Sequence, residues 1–302
     1  MKISIITPSL NSAAYLQDAI DSVMMQEYKN VEHIVVDGGS SDGTMEILKR
    51  NPHLIWVSEK DGGQADAMNK GFRMSSGDII GYLNADDYYY PDAFKSIIPY
   101  FLNGCDFVVG KIKVMFSDGS FLINDPQTDF DKMIRHWEQE AFCVNPVGYF
   151  YTRKVQGEVG GYNSDNHYAM DLEFLLNSAK KFRLTKMFEE NILGVFRFVE
   201  QCKTHDQNIN NLSLWTNSNF SFIDKILSDM PADYVNNYKK DQEKGYKRRR
   251  ILQRAEIIEQ ELKNSQFTFF QEFQLKLLIK FLYLKHHLHS QYNNYVYFPK
   301  RS

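Results

Sequence analysis

The sequence predicts an α/β fold: a mostly parallel central sheet with helices on both faces, followed by a helical C-terminal extension. Three observations predict it. Over roughly the first hundred residues, short β-branched apolar runs alternate with segments of helical periodicity, the pattern of a parallel sheet covered on both sides. Each apolar run ends in polar residues, most of them acidic, and in such sheets the ligand crevice lies beyond the carboxyl ends of the strands. From about Thr204 onward the composition shifts to Asn, Lys, Gln, Phe and Leu at helical spacing.

The elements follow in order. ISIIT (3–7) reads as a buried strand that Pro8 and Asn11 end. Leu16, Ala19, Ile20 and Val23 then recur at helical spacing. HIVVD (33–37) is a second strand, GGSSDGT a turn-rich loop and MEILKR a short helix. LIWVS (54–58) is a third strand; Ala65, Met68 and Phe72 share the next helical face; DIIGYL (78–83) is a fourth strand. Beyond residue 105, FVVGKIKVMFSDGSFLI reads as a hairpin turning at 117–120. FDKMIRHW (130–137) is expected to be helical, VGYFYTR a strand and GEVGGYN a glycine-rich turn. YAMDLEFLLNSAKKF (168–182) is expected as a helix burying Leu172, Leu175, Leu176 and Ala179, with Asp171 in its first turn. LGVFRFV (193–199) is the last strand. A domain boundary is expected at 205/206.

The bulk numbers narrow the function. The chain has 302 residues, 43% hydrophobic and 24% charged, with a net charge of −3. No global field points to nucleic acid. Aromatic residues at 14% suit a Phe- and Tyr-rich core. Cys105, Cys143 and Cys202 are scattered, without zinc spacing, and read as reduced thiols of a cytosolic protein. MKISIITPSL reads as a strand rather than a signal peptide. No apolar run approaches the roughly 18 residues of a spanning helix.

Four strand exits carry Pro8-Ser9-Asn11, Asp37-Gly38-Gly39-Ser40, Glu59-Asp61 and Asn84-Asp86-Asp87. A nicotinamide fold would place GxGxxG after the first strand, where this chain has TPSLNS, and no P-loop is present. Paired carboxylates instead hold a hard divalent cation, which can bind phosphates. They also accept hydrogen bonds from ribose hydroxyls and base N–H groups. A nucleoside diphosphate bridged to the protein by a metal matches that rim. Asp42 and Thr44 read equally as helix caps or ligand contacts, and Gly62-Gly63 as a tight turn.

SIITPSLNSAAYLQDAIDSVMMQEYKNVEHIVVDGGSSDGTMEIL, DGGQADAMNKGF and GDIIGYLNADD together resemble the family 2 glycosyltransferases. The resemblance is strong to about residue 115. It continues weakly through GYFYTRKVQGEVGGYN and YAMDLEFLL to about 200. It implies a GT-A catalytic domain over 1–205, of the inverting, bacterial polysaccharide-building type. It implies Pro8, Ser9, Asn11, Asp37, Asp61, Asn84 and Asp86 at the nucleotide, and Asp86 with Asp87 on Mn²⁺ or Mg²⁺. It implies Asp171 as the general base. A nucleotide-sugar donor, UDP-linked, and a saccharide or lipid-linked acceptor follow from it. Two departures stand out: Asp37-Gly38 replaces a pair of aspartates, and Asn84 replaces the first Asp of the DXD motif. The rival classes are a sugar nucleotidyltransferase, whose glycine-rich basic stretch is missing from PSLNSAAYL, and a catalytically silent binding or scaffold relative.

The extension over 206–302 is expected to be helical. Phe270, Phe273, Leu277, Phe281, Leu284 and Leu288 form an apolar stripe. It suits packing on the catalytic domain or a twin subunit, or peripheral contact with the inner face of the plasma membrane, aided by the basic run KGYKRRR. His205 reads as a surface histidine, with a late metal ligand as the alternative.

Overall fold

The structure, a computed structural model, describes residues 1–136, 142–188, 192–198, 221–247 and residue 278. The chain divides into two compact units, Met1–Asp229 and Met230–Ser302. In the first, β1 (Ile3–Ser9), α1 (Leu16–Met24), β2 (Val31–Asp37), α2 (Thr44–Arg50), β3 (Ile55–Ser58), α3 (Gln64–Met74) and β4 (Ile79–Tyr82) follow in the expected order. β1 pairs in parallel with β2 and β4, and β2 in parallel with β3. Ser9 lies opposite Asp37, and Asp37 opposite Ser58. Three strands therefore end side by side on one rim.

Alternation of side chains along each strand sends successive residues to opposite faces. Val35 joins Leu16, Ile20, Ile47 and Leu48 under α1 and α2. Its neighbour Val36 faces α3, together with Ile6; both crowd Gly71, where the helix comes closest to the sheet. Leu16, Ala19, Ile20 and Val23 are all buried, as their spacing predicted.

The chain continues through β5 (Tyr88–Tyr89), α4 (Ala93–Leu102), β6 (Phe107–Val109), β7 (Lys111–Phe116), β8 (Phe121–Asn124), α5 (Phe130–Met133), a 3₁₀ turn (Pro146–Gly148) and β9 (Tyr149–Thr152). Then come α6 (Arg153–Val159), α7 (Met170–Lys181), β10 (Leu184–Lys186), β11 (Ile192–Phe198) and α8 (Ser221–Leu227). The main sheet has seven strands in the order β10-β6-β9-β4-β1-β2-β3. Only β9 runs antiparallel within it. A second sheet has the order β5-β11-β7-β8. The turn after β4 thus leaves the first sheet and enters the second within a few residues.

Several local expectations are corrected. Gly157 lies inside α6, and the turn comes at Gly160, with φ 96°. The helix predicted to reach residue 137 is the single turn α5. In α7, Phe174 and Ser178 are buried while Ala179 is half-buried, because the helix packs against both α5 and α6. α4 escaped the sequence reading, since Pro99 inside it interrupts the pattern. The 205/206 boundary falls outside the described residues. α8 belongs to the first unit: Ile223, Ile226 and Leu227 are buried, and Lys180 Nζ donates to the Ile226 carbonyl at 3.0 Å. In the second unit residues 232–247 are helical, which includes the start of the basic run. Of the tail stripe and its flanks only Leu278 is described, helical and exposed. His205 and Cys202 lie outside the described residues. Among the described residues no helix is long and apolar enough to cross a membrane.

Candidate active site

The rim is built by two loops zipped together. Asn11 adopts a left-handed conformation, φ 50°, which Asn tolerates better than most residues. Its backbone N–H donates to Ser40 Oγ at 2.7 Å, and its Oδ1 accepts from Ser41 N at 2.9 Å. Asp42 accepts from Ala13 N and Thr44 N at 2.9 and 3.0 Å, and so ties the loop after β1 to the start of α2. Asp37 is buried and faces its own loop. It accepts from Gly39 N, Ser40 N and Ser58 Oγ at 3.1, 3.0 and 2.6 Å, and from Ser40 Oγ. Ser9 and Pro8 are buried at the end of β1, and the Ser9 hydroxyl finds no hydrogen-bond partner among the described residues.

Asp61 approaches this loop from the exit of β3. A Cβ on Gly38 would meet Asp61 Oδ2 at 3.0 Å, so the Asp61 carboxylate takes the space that a side chain at position 38 would fill. Its Oδ1 accepts from Gly63 N at 2.9 Å. Gly63 has φ 107°, a conformation other residues rarely adopt.

The acidic turn divides its two carboxylates between different tasks. Asp87 is fully buried and spends both oxygens on protein donors: Asn84 Nδ2 at 3.0 Å, Asn145 Nδ2 at 2.8 Å and Arg197 N at 2.9 Å. Asn84 in turn accepts from Gln64 Nε2 at 2.9 Å. Burial pushes the Asp87 carboxyl well above the ordinary range, and the Asp86 charge adds to this against those three donors. Burial also raises Asp86, while its own backbone N–H and the Arg197 guanidinium pull the other way. Among the described residues, no donor from another residue pairs with the Asp86 carboxylate. The two adjacent charges of NADD therefore have unequal partners, and Asp86 is the one left for a ligand.

Asp171 sits in the first turn of α7. Tyr149 Oη donates to its Oδ1 in a long hydrogen bond of 3.3 Å, and Tyr162 Oη lies 3.1 Å from Tyr149 Oη. Both phenols are buried and held far above their ordinary pKa, by burial first and then in part by the Asp171 charge. Asn69 of α3 clamps Tyr162 through two hydrogen bonds, 2.7 and 2.8 Å. Cys143 Sγ contacts the Asn145 carbonyl at 3.2 Å, and the same Asp171 charge helps raise its thiol to about 12. Segment 143–149 thus touches Asp87 through Asn145 and Asp171 through Tyr149. The sequence reading missed Asn69, Asn145, Tyr149, Tyr162 and Arg197. Only Arg197 carried a signal, as a lone charge inside the apolar run LGVFRFV.

Among the described residues no three His, Cys, Asp or Glu side chains gather into a cluster able to hold a metal alone. The comparisons with known proteins are consistent with one another. The family model for glycosyl transferase family 2 matches residues 4–156. An uncharacterized glycosyltransferase of Mycobacterium tuberculosis is 31% identical over 188 residues, covering 59% of this chain and 68% of the relative. The chondroitin synthase of Pasteurella multocida is 26% identical over 80% of this chain, which spans 24% of that protein. The crystal structure of S. aureus TarS in complex with UDP superposes with a TM-score of 0.55 at 18% identity, covering 66% of this chain and 61% of that one. That likeness, with the sheet order and the two-sheet turn, gives a GT-A fold. By its family match and its relatives, the chain belongs to glycosyl transferase family 2 and is a glycosyltransferase.

Proposed function

We propose that this glycosyltransferase is metal-dependent and inverting, and moves a sugar from a UDP-linked donor to a hydroxyl of a saccharide or lipid-linked acceptor. One observation carries this reading. The acidic turn that presents Asp86 is held through Asp87 by the same short segment, 143–149, that holds the helix-borne Asp171, as a donor site and a base beside one sugar would be. Neighbours of the same fold were crystallised with UDP and with UDP-GlcNAc, which supports a uridine donor. The chondroitin and hyaluronan synthases among the relatives support a role in cell-surface polysaccharide. A cytoplasmic setting at the membrane surface follows from that role.

The nucleoside rests against the zipped loops, near Pro8, Ser9, Asn11, Asp37 and Asp61, with Asn84 holding the acidic turn. The residues fit a divalent cation on Asp86. A half-buried and a buried carboxylate side by side, both with raised pKa values, call for a counter-charge. The lack of an all-protein cage suits an ion such as Mg²⁺, which sits on one or two carboxylates plus substrate phosphates. When bound, such an ion neutralises charge on the departing diphosphate. Asp87, saturated by three donors, positions the turn. Asp171 accepts the acceptor's hydroxyl proton as the new oxygen–C1 bond forms. The old C1–oxygen bond breaks, and its electron pair leaves with the diphosphate.

Thermal shift of the full chain tests this. UDP with Mn²⁺ is expected to raise Tm more than UDP or Mn²⁺ alone, because a ligand that binds only the native state stabilises it. Asp171→Asn is expected to lower turnover by ~10²–10⁴ and to keep that shift. Asp86→Asn is expected to abolish turnover and the Mn²⁺-dependent part of the shift. Activity in excess chelator would remove the metal from the mechanism. An unchanged rate in Asp171→Asn would return Asp171 to a helix-terminal carboxylate stabilised by the dipole.

A further inference from the structure

β11 carries a single charge inside an apolar strand, and its side chain is 11% exposed. Among the described residues, every polar contact of Arg197 goes to the acidic rim or to the start of α1. Its backbone N–H bonds Asp87 Oδ1 at 2.9 Å, its Nε donates to the Asp86 carbonyl, and its Nη1 meets Asp18 Oδ2 at 2.7 Å. The rings of Tyr15 and Tyr88 lie 4.9 and 5.1 Å from the guanidinium carbon. These contacts describe a strap joining β11, the acidic turn and α1. They leave one nitrogen unexplained: Nη2 is buried and finds no hydrogen-bond partner among the described residues.

A buried donor on a permanent cation is unfavourable without an acceptor. Guanidinium nitrogens match phosphate oxygens in charge and in planar geometry. Among the described residues, Arg197 is also the cation that acts on the Asp86 carboxylate. An anion brought to Asp86 therefore arrives beside it. We propose that Arg197 is a donor-binding residue whose Nη2 takes an oxygen of the nucleoside diphosphate and shares the charge that collects there as the sugar departs. This assignment rests on the nucleoside-diphosphate site proposed above. Asp18, on the exposed start of α1, takes Nη1 alone and leaves Nη2 without an acceptor.

The test is calorimetric binding of UDP and of uridine in the presence of Mn²⁺, with GDP and guanosine run alongside. It compares the wild-type chain with Arg197→Gln and Arg197→Lys. Arg197→Gln is expected to weaken UDP binding about 10–100-fold, the effect of one charge-assisted hydrogen bond, and to leave uridine binding unchanged. Arg197→Lys keeps the charge without the fork and is expected to fall between. If Arg197→Gln does not fold by thermal melt, Arg197→Lys decides by the same contrast. UDP binding equal to wild type overturns the proposal. Equal losses for UDP and uridine also overturn it, because a mere strap disturbs the whole site. A wild-type chain that binds none of the four ligands overturns the nucleotide site itself, and this assignment with it.

Discussion

Tyr149 is a buried phenol that burial and the nearby Asp171 charge hold in its neutral form, so it is a fixed donor. Its hydroxyl donates a hydrogen bond to Asp171 and lies within hydrogen-bond distance of the Tyr162 hydroxyl. Removing that hydroxyl costs a hydrogen bond to a charged group and almost no volume. A carboxylate that loses a donor favours its protonated form. Tyr149→Phe is therefore expected to lower kcat about 10-fold, leave the donor KM unchanged and move the acidic limb of the pH–rate profile to higher pH. A limb that stays in place would reduce Tyr149 to packing against Phe107 and Tyr151. The same scale explains why NADD could be read only halfway. Two neighbouring aspartates are alike in sequence, yet of their two carboxylates Asn84, Asn145 and the Arg197 backbone N–H bond only the second.

At the scale of elements, α3 was legible because Ala65 and Met68 repeat on one face and both are buried. What fixed its distance from the sheet was less visible. Gly71 is buried inside this helix, and an added Cβ would overlap Ile6 Cγ2 and lie 3.4 Å from Val36 Cγ2. Intrinsic propensity favours Ala over Gly by about 1 kcal/mol. Overpacking against two stiff β-branched side chains costs about 1–3 kcal/mol. Gly71→Ala is thus expected to lower Tm despite the better helix former, and a raised Tm in a thermal melt would mean that the sheet gives way. Asn69, on the same helix, holds Tyr162, whose hydroxyl lies 3.1 Å from that of Tyr149, the donor to Asp171, so a shift of α3 reaches the proposed base. Activity of the Gly71→Ala chain is expected to fall further than its stability alone accounts for.

For the whole molecule, two neighbouring residues of β2 set the response to acid. His33 is buried, with Nδ1 unpartnered among the described residues and Nε2 2.9 Å from Thr7 Oγ1, and burial lowers its pKa to about 3. The unfolded chain takes up that proton near the ordinary 6.5, so it binds more protons than the native state between those values. Stability is therefore full above pH 6.5 and falls toward pH 3, by up to about 1.4 kcal/mol per pH unit. Glu32 adds to this. Its carboxylate accepts from Lys2 Nζ, Ser4 Oγ and Ser76 N at 2.5, 2.6 and 2.6 Å, and these bonds outweigh burial to lower its pKa to about 2. Its contribution is complete above the ordinary 4.5 and is lost as pH falls through 2. Denaturant melts from pH 7 to 4 are expected to show this slope, and His33→Leu to flatten it. An identical slope in that variant would assign the acid response to other groups.

The sequence by itself determined the strands and helices from β1 to β4, the acidic rim and the family. Those depend on local periodicity, on turn residues and on motifs read within short windows. Its polar strand exits do meet on one rim, because parallel strands in register must end together. The insertion of antiparallel β9, the course of α4 through Pro99 and the partners of each carboxylate were decided only by the tertiary structure. The physical reason is distance along the chain. Arg197 reaches back 110 positions to Asp87, Asn145 reaches 58 positions to the same carboxylate, and Tyr162 is held by a residue 93 positions before it. Of the three donors to Asp87, Asn84 is local, but Asn145 and Arg197 arrive only once distant segments have folded against the acidic turn, and no local pattern around NADD encodes them.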